Sequence, residues 1–277
     1  MSFTDKVDSL KVVERNINRI VSLEKSEAMK LGRVFKEATQ RLEQQLILAE
    51  QGSFTQASLT LALQQSEVIL SATEERARRE VLESSDLVSE QSIEDLGKEI
   101  RVFSKRFEGI NRQIPVDEII TALQSKNYLV NSYMASVKAY TAEQRATIER
   151  ELQYAILSSE PRNTTIRRMV DAVGLQQWKI LRITRTELHN IYNMTKNEGM
   201  INVRDSGLIP ELKKTLIHPM DGRTGEDSKL AESLDLVVDI DKPFKYNFRG
   251  KERVFMNPPD RPNDRSIIVP YSKEWDN

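Results

Sequence analysis

His218-Pro219-Met220-Asp221-Gly222-Arg223-Thr224-Gly225-Glu226-Asp227 divides the chain into a long helical part and a part where strands begin. Asp, Arg, Thr and Glu crowd around Gly222 and Gly225, a composition that bends a backbone tightly while short polar side chains bond the turn. Two readings of this island stand side by side. In one it is a self-satisfied structural turn, with Asp221 accepting from backbone amides and Arg223 paired to a carboxylate. In the other it is a recognition or catalytic loop carried on a rigid scaffold.

Upstream, the apolar spacing is helical. From Asp5 to about Glu50, Leu10, Val13, Ile17 and Ile20, then Leu31, Val34, Ala38, Leu42 and Leu46, recur every three or four residues, drawing one stripe along an amphipathic helix. The spacing drifts near Leu23, so no regular coiled coil is expected. Gly52 can end this helix, and Ser53 with Gln56 forms a capping box for the next, Phe54 to Leu82. The mixed signs of Glu74-Glu75-Arg76-Ala77-Arg78-Arg79-Glu80 suit ion pairing along an exposed helix face. Ser92 with Asp95 predicts another helix start, running to Gly109, and Ile114-Pro115 marks a boundary because the residue before proline is pushed out of helical geometry. Shorter helices follow over Val116 to Leu123 and Tyr128 to Tyr140. Thr141 with Gln144 is a second capping box, opening a helix to Ser158.

At Ser158-Ser159-Glu160-Pro161 the texture changes, which predicts a border between a helical region, 1–158, and a second domain, 159–277. A helix from Thr165 to Val173 ends at Gly174, and a longer one runs from Leu175 to about Asn197 with Gly199 as its stop. Strands are then expected at Thr215-Leu216-Ile217, Leu236-Val237-Val238, Phe244 to Phe248, Arg253 to Met256 and Ile267-Ile268-Val269, with a turn around Gly250 making a hairpin. The fold class is therefore α+β: a long helical N-terminal region, then a small domain of helices packed on a mostly antiparallel sheet.

Composition narrows the function. Lys plus Arg number 41 against 42 Asp plus Glu, so there is no global attraction to nucleic acid or anionic lipid. The absence of Cys removes disulfides, thiolate nucleophiles and cysteine-based zinc sites, and with His189 and His218 as the only histidines a histidine-rich metal site is not expected. The N-terminus lacks a basic patch followed by an apolar core, and no run approaches the ~18 apolar residues of a membrane span. A soluble protein made in the cytosol, without cofactor or metal, is the expectation.

The C-terminal residues, taken in order, resemble the phage Mu F-like head morphogenesis family, minor capsid proteins encoded beside portal genes in many tailed phages. The resemblance covers about Glu149 to Tyr271. It rests on Arg185-Thr186-Glu187 with Asn190 one turn later, then Asp221-Gly222-Arg223-Thr224, then strands through Phe244, then Pro258-Pro259-Asp260-Arg261-Pro262-Asn263-Asp264-Arg265 leading into Ile267-Ile268-Val269-Pro270. Family members often carry His shortly after the Asp-x-Arg-Thr turn and a His-Pro-Asn-Cys-Arg-Cys ending; here those places hold Ser228 and Arg261-Pro262-Asn263-Asp264-Arg265-Ser266. The soft metal ligands are gone, so the turn geometry and Arg265 carry over and metal binding does not.

The resemblance implies a non-enzymatic minor head protein that docks at the portal vertex during capsid assembly and stays inside the head. Its implied partners are the portal protein, the major capsid or scaffolding protein, and, weakly, packaged DNA, with no membrane involved in assembly. Arg185, Thr186, Glu187, Asn190, Asp221, Arg223, Thr224, Pro259 and Arg265 would form a structural network at the corner of the domain. Two alternatives remain at this stage. One is a metal-dependent phosphodiester hydrolase using Asp221, Glu226 and Asp227. The other is an accessory DNA-contacting head protein using Arg182, Arg185, Arg261 and Arg265 on phosphates.

Overall fold

The structure is a computed structural model, and it describes residues 3–48, 56–104, 112–125, 130–158, 160–174, 176–219, 224–262 and 264–276. In chain order the elements are α1 (Phe3–Leu48), α2 (Gln56–Ser104), α3 (Val116–Ser125), α4 (Asn131–Ser158), α5 (Arg162–Gly174), α6 (Gln177–Asp205), β1 (Lys213–Ile217), α7 (Glu226–Ser233), β2 (Val237–Asp239), β3 (Phe244–Phe248), β4 (Lys251–Phe255), β5 (Ile267–Tyr271) and a 3-10 turn (Lys273–Asp276). Helices followed by antiparallel strands make the chain α+β, in agreement with the spacing of its apolar residues.

The chain forms two compact units. A helical unit comprises Lys25–Glu83 and Asn131–Thr184, and a sheet unit comprises Met1–Glu24, Ser84–Val130 and Arg185–Asn277. The proline turn at Glu160-Pro161 joins α4 to α5 within the helical unit.

In the helical unit, Leu42, Leu46, Leu70, Ile148, Leu152, Ile166 and Met169 close a core, each buried side chain contributing on the order of 1.5–3 kcal/mol. Phe35 meets Tyr140 edge-on at 4.9 Å. The mixed-sign run on α2 pairs mainly with neighbouring helices: Arg76 with Glu37 at 2.7 Å, and Glu74 with Arg145 at 3.5 Å. Arg78–Glu75, at 3.9 Å, follows the helix face.

Three expected helix ends are absent. The helix α2 runs through Ser92 and Asp95, which are buried mid-helix. Ser92 donates to the Tyr192 carbonyl at 2.6 Å, and Asp95 accepts from Arg19 at 2.9 Å and the Tyr192 hydroxyl at 3.0 Å. These side chains serve neighbouring helices, so they resemble a capping box without forming one. Likewise α4 is continuous through Thr141 and Gln144, which bond the Val137 carbonyl and the Tyr140 hydroxyl. Finally, α6 passes Gly199 and continues to Asp205. Gly199 is a packing residue: a Cβ there would lie 2.7 Å from Leu96 Cδ2 and 2.8 Å from Ile93 Cδ1. The expected stop at Gly52, the capping residue Ser53 and the end at Gly109 lie outside the described residues.

In the sheet unit, β1 is central in a three-stranded antiparallel sheet of order β2-β1-β5, with Leu216 opposite Ile268 and Lys214 opposite Val238 and Pro270. The strands β3 and β4 form the expected hairpin. Its two-residue loop, Arg249-Gly250, has positive φ at both residues (51° and 75°), the turn that matches strand twist. Asn247 Oδ1 accepts from the Gly250 amide at 3.0 Å.

Candidate functional site: a polar corner of the sheet unit

Four segments of the sheet unit build one polar corner. The strand β1 ends by delivering His218, whose amide donates to Glu232 Oε2 of α7 at 2.9 Å. The first turn of α7 presents Asp227 and Ser228. The segment after β4 passes the cis Pro258-Pro259 bond, presents Asp260, Arg261 and Asp264, and enters β5 through Ser266. From α6, His189 and Asn193 anchor that entry. His189 Nε2 bonds the Ser266 carbonyl at 2.7 Å, Asn193 Nδ2 donates to the same carbonyl at 3.2 Å, and Asn193 Oδ1 accepts from the Ile268 amide at 2.9 Å. A side-chain amide that meets both an N–H and a C=O replaces a neighbouring strand at the sheet's entry.

Charges in the corner are closely matched. Arg261 donates to Asp227 at 2.8 Å, to the Ser228 hydroxyl at 2.6 Å and to Asp260 at 2.5 Å. Burial lowers the Arg261 pKa, but Asp260, Asp264 and Asp227 outweigh it and the pKa rises. Burial pushes Asp260 up. At Asp264 burial also acts upward, yet bonds from the Ser266 hydroxyl and amide, with His189 and Arg261 nearby, hold its pKa below the usual carboxylate range.

His218 is 95 % buried, being 5 % exposed, and burial lowers its pKa to about 4. Its Nδ1 contacts Ser266 Oγ, which also contacts Asp264 Oδ1. Ionised Asp264 can only accept, so the Ser266 hydroxyl donates to it and in turn accepts from His218 Nδ1–H. This leaves Nε2 as the bare lone-pair nitrogen of a neutral imidazole, and it has no hydrogen-bond partner among the described residues. The order Asp264–Ser266–His218 has serine in the middle. A hydrolytic triad needs imidazole between serine and carboxylate, so this chain of bonds fixes a tautomer and does not activate Ser266.

These groups line a cavity of about 200 Å³, bounded by His218, Thr224, Gly225, Ser228, Arg261 and Arg265 among others. Among the described residues, no group of three or more His, Asp or Glu is placed to hold a metal ion. Nor, among them, is any helix long and apolar enough to cross a membrane.

The residues singled out from the sequence are distributed unevenly. Thr224 and Arg265 line the cavity, with the Thr224 hydroxyl donating to the Pro219 carbonyl. Pro259 lies in the segment leading to it, while Asp221 and Arg223 fall outside the described residues. On α6, Arg185 is exposed, Thr186, Glu187 and Asn190 are half-buried, and Thr186 Oγ1 is enclosed without a partner among the described residues. Of the carboxylates weighed as metal ligands, Glu226 bonds Arg249 and Asp227 bonds Arg261. Of the arginines weighed as phosphate contacts, Arg182 stacks over Trp178 at 4.8 Å and Arg261 is held by its carboxylates.

Sequence reasoning gave no role to His189, Asn193 and Ser266, and it placed His218 only at the head of the polar island and Asp264 only within the proline motif. One signal was present: both histidines of the chain stand in this corner. No protein-family model, curated protein or solved structure matches the chain.

Proposed function

We propose that the protein is a minor head protein of a tailed bacteriophage, docking at the portal vertex while the capsid assembles and retained inside the head. The observation that carries this reading is the closed corner: Arg261 ties the first turn of α7, just after Thr224, to the 258–265 segment through Asp227, Ser228 and Asp260. The 258–265 segment is one part of the pattern on which the head-protein resemblance rests, and α7 starts two residues after Thr224, the end of another part. A guanidinium shared among two carboxylates and a hydroxyl holds loops in place, which suits a rigid docking element better than a reacting centre. Near-neutral net charge fits a protein whose contact with packaged DNA is weak and salt-sensitive. The portal protein is the principal partner, with the major capsid or scaffolding protein as further contacts.

Mass spectrometry of purified particles made from the encoding genome tests this. The chain should be present at a few copies per particle. Its absence from particles that assemble normally would contradict the proposal.

A further inference from the structure

Near-neutral net charge hides a sorting of charge along α1. Within the helical unit, Leu31, Val34, Phe35, Ala38 and Leu42 on one side of this helix are buried. The other side carries Lys25, Lys30, Arg33, Lys36 and Arg41, all exposed, and the exposed residues among them are Ser26, Met29 and Gln40. The glutamates of the same stretch are spent or set back. Glu27 is buried and paired with Lys30 at 2.8 Å, Glu37 is held by Arg76 at 2.7 Å, and Glu43 is half-buried. Glu80 and Glu83 of α2 also lie towards Lys30, and Arg33 and Arg41 flank Glu37. Among the described residues, Lys25, Arg33, Lys36 and Arg41 make no ion pair.

Helical spacing gathers these cations into a strip. Lys25, Met29, Arg33, Lys36, Gln40 and Gln44 follow one another at steps of three or four residues, over about 28 Å of helix. The helix α6 lies along one edge of it: a Cβ at Gly32 would stand 3.2 Å from Leu181. One turn before Leu181, Trp178 is 53 % exposed, with the Arg182 guanidinium over its ring at 4.8 Å. Arg182 is exposed and, among the described residues, makes no ion pair, so α6 adds a further cation beside the strip.

We propose that this face of the helical unit binds duplex DNA through its backbone phosphates, without reading sequence. A duplex carries one phosphate per about 1.7 Å of its axis, so a strip of this length meets more phosphates than it has cations. Long cationic side chains interleaved with Ser and Gln suit such contacts, which position a protein on the duplex but carry no sequence information. A bilayer surface is a poorer match, because a helix binds there by sinking its apolar face, and the apolar face of α1 is already packed in the core. The proposal locates the DNA contact of the head-protein reading and rests on that reading for the identity of the polyanion.

A fluorescein-labelled duplex titrated with the full chain, read by anisotropy, tests it. At about 50 mM salt the dissociation constant should be on the order of 10⁻⁵ M, the same for two unrelated sequences, and binding should weaken steeply towards about 200 mM. Combining Lys25→Gln, Arg33→Gln and Lys36→Gln should weaken binding about tenfold or more and reduce the salt slope by about 2–3. These positions are exposed, and circular dichroism checks that the variant folds. Removing equal charge from exposed lysines of the sheet unit, with Lys242→Gln, Lys245→Gln and Lys251→Gln, should change binding by no more than about twofold, since screening confines the effect to nearby charges. Equal losses in the two variants, no binding at the lower salt, or displacement of the duplex by phosphatidylglycerol vesicles would overturn the assignment. Any of these, with the chain still found in purified particles, strikes the DNA-binding face and leaves the head-protein reading standing.

Discussion

Glu24 and His189, 165 residues apart in sequence, meet at 2.5 Å between Oε1 and Nδ1 inside the sheet unit. The other imidazole nitrogen faces the Ser266 carbonyl at 2.7 Å. Both partners are acceptors, so the ring donates twice as an imidazolium. Burial opposes this charge, but Glu24 and the Ser266 carbonyl outweigh it and raise the pKa. A histidine raised above its unfolded value of about 6.5 adds stability below that pH and loses it as pH rises through the folded pKa. Urea unfolding across a pH series should show this alkaline loss, and His189→Gln should lack it. Equal alkaline slopes in the two proteins would show that His189 is not charged in the fold.

His218 works in the opposite direction. Its pKa falls from 6.5 to about 4 on folding because burial disfavours the charged ring, so its contribution is full above pH ~6.5 and is lost as pH falls towards ~4. At about 1.4 kcal/mol per unit, the loss is on the order of 3 kcal/mol. The wild-type stability should therefore drop more steeply over this acid range than that of His218→Gln, as measured by the same unfolding series.

Gly199 is occupied space, not a helix stop. Gly199→Ala gains up to about 1 kcal/mol of helix propensity but drives a methyl to within 2.8 Å of Ile93 and 2.7 Å of Leu96. Overpacking of this kind costs about 1–3 kcal/mol, so the variant should be net destabilised by about 1 kcal/mol. Pairing it with Leu96→Ala should recover part of the strain, giving a coupling energy in a double-mutant cycle.

Arg261 is the tie between α7 and the 258–265 segment. Arg261→Met removes bonds to Asp227, Asp260 and Ser228, leaving two partly buried carboxylates to the longer Arg253 contacts of 3.8 and 4.0 Å, at a cost of about 2 kcal/mol. The lowered midpoint should appear in urea unfolding. Increased amide hydrogen exchange over 226–233 and 264–268 should accompany it, because the corner opens before the helical unit does.

Much of the fold was legible because burial follows spacing. The stripe through Val13, Ile17 and Ile20 is buried, and its drift near Leu23 falls beside Glu24, the carboxylate that His189 draws into the interior. The strand positions followed from β-branched and aromatic runs bounded by turns. Capping patterns failed at Ser92 and Thr141 because a short polar side chain looks alike in sequence whether it bonds a helix end, a neighbouring helix as Ser92 does, or its own preceding turn as Thr141 does. Gly199 was unreadable for a similar reason: the need for close approach belongs to Ile93 and Leu96, about a hundred positions away. The short helix α7 lay hidden in the polar island, since Gly225 supplies no cap signal. In the corner, Thr224 and Arg265 were found from the motif, whereas Ser266 was not, because its partners His189 and His218 lie 77 and 48 residues away.

Complex formation with the portal protein encoded in the same genome tests the central claim most directly. The full chain, co-expressed with that portal protein and resolved by size-exclusion chromatography with light scattering, should elute with the portal ring, and Arg261→Met should reduce the bound fraction. A portal ring that elutes free of the wild-type chain, under conditions where both are folded, would contradict the account.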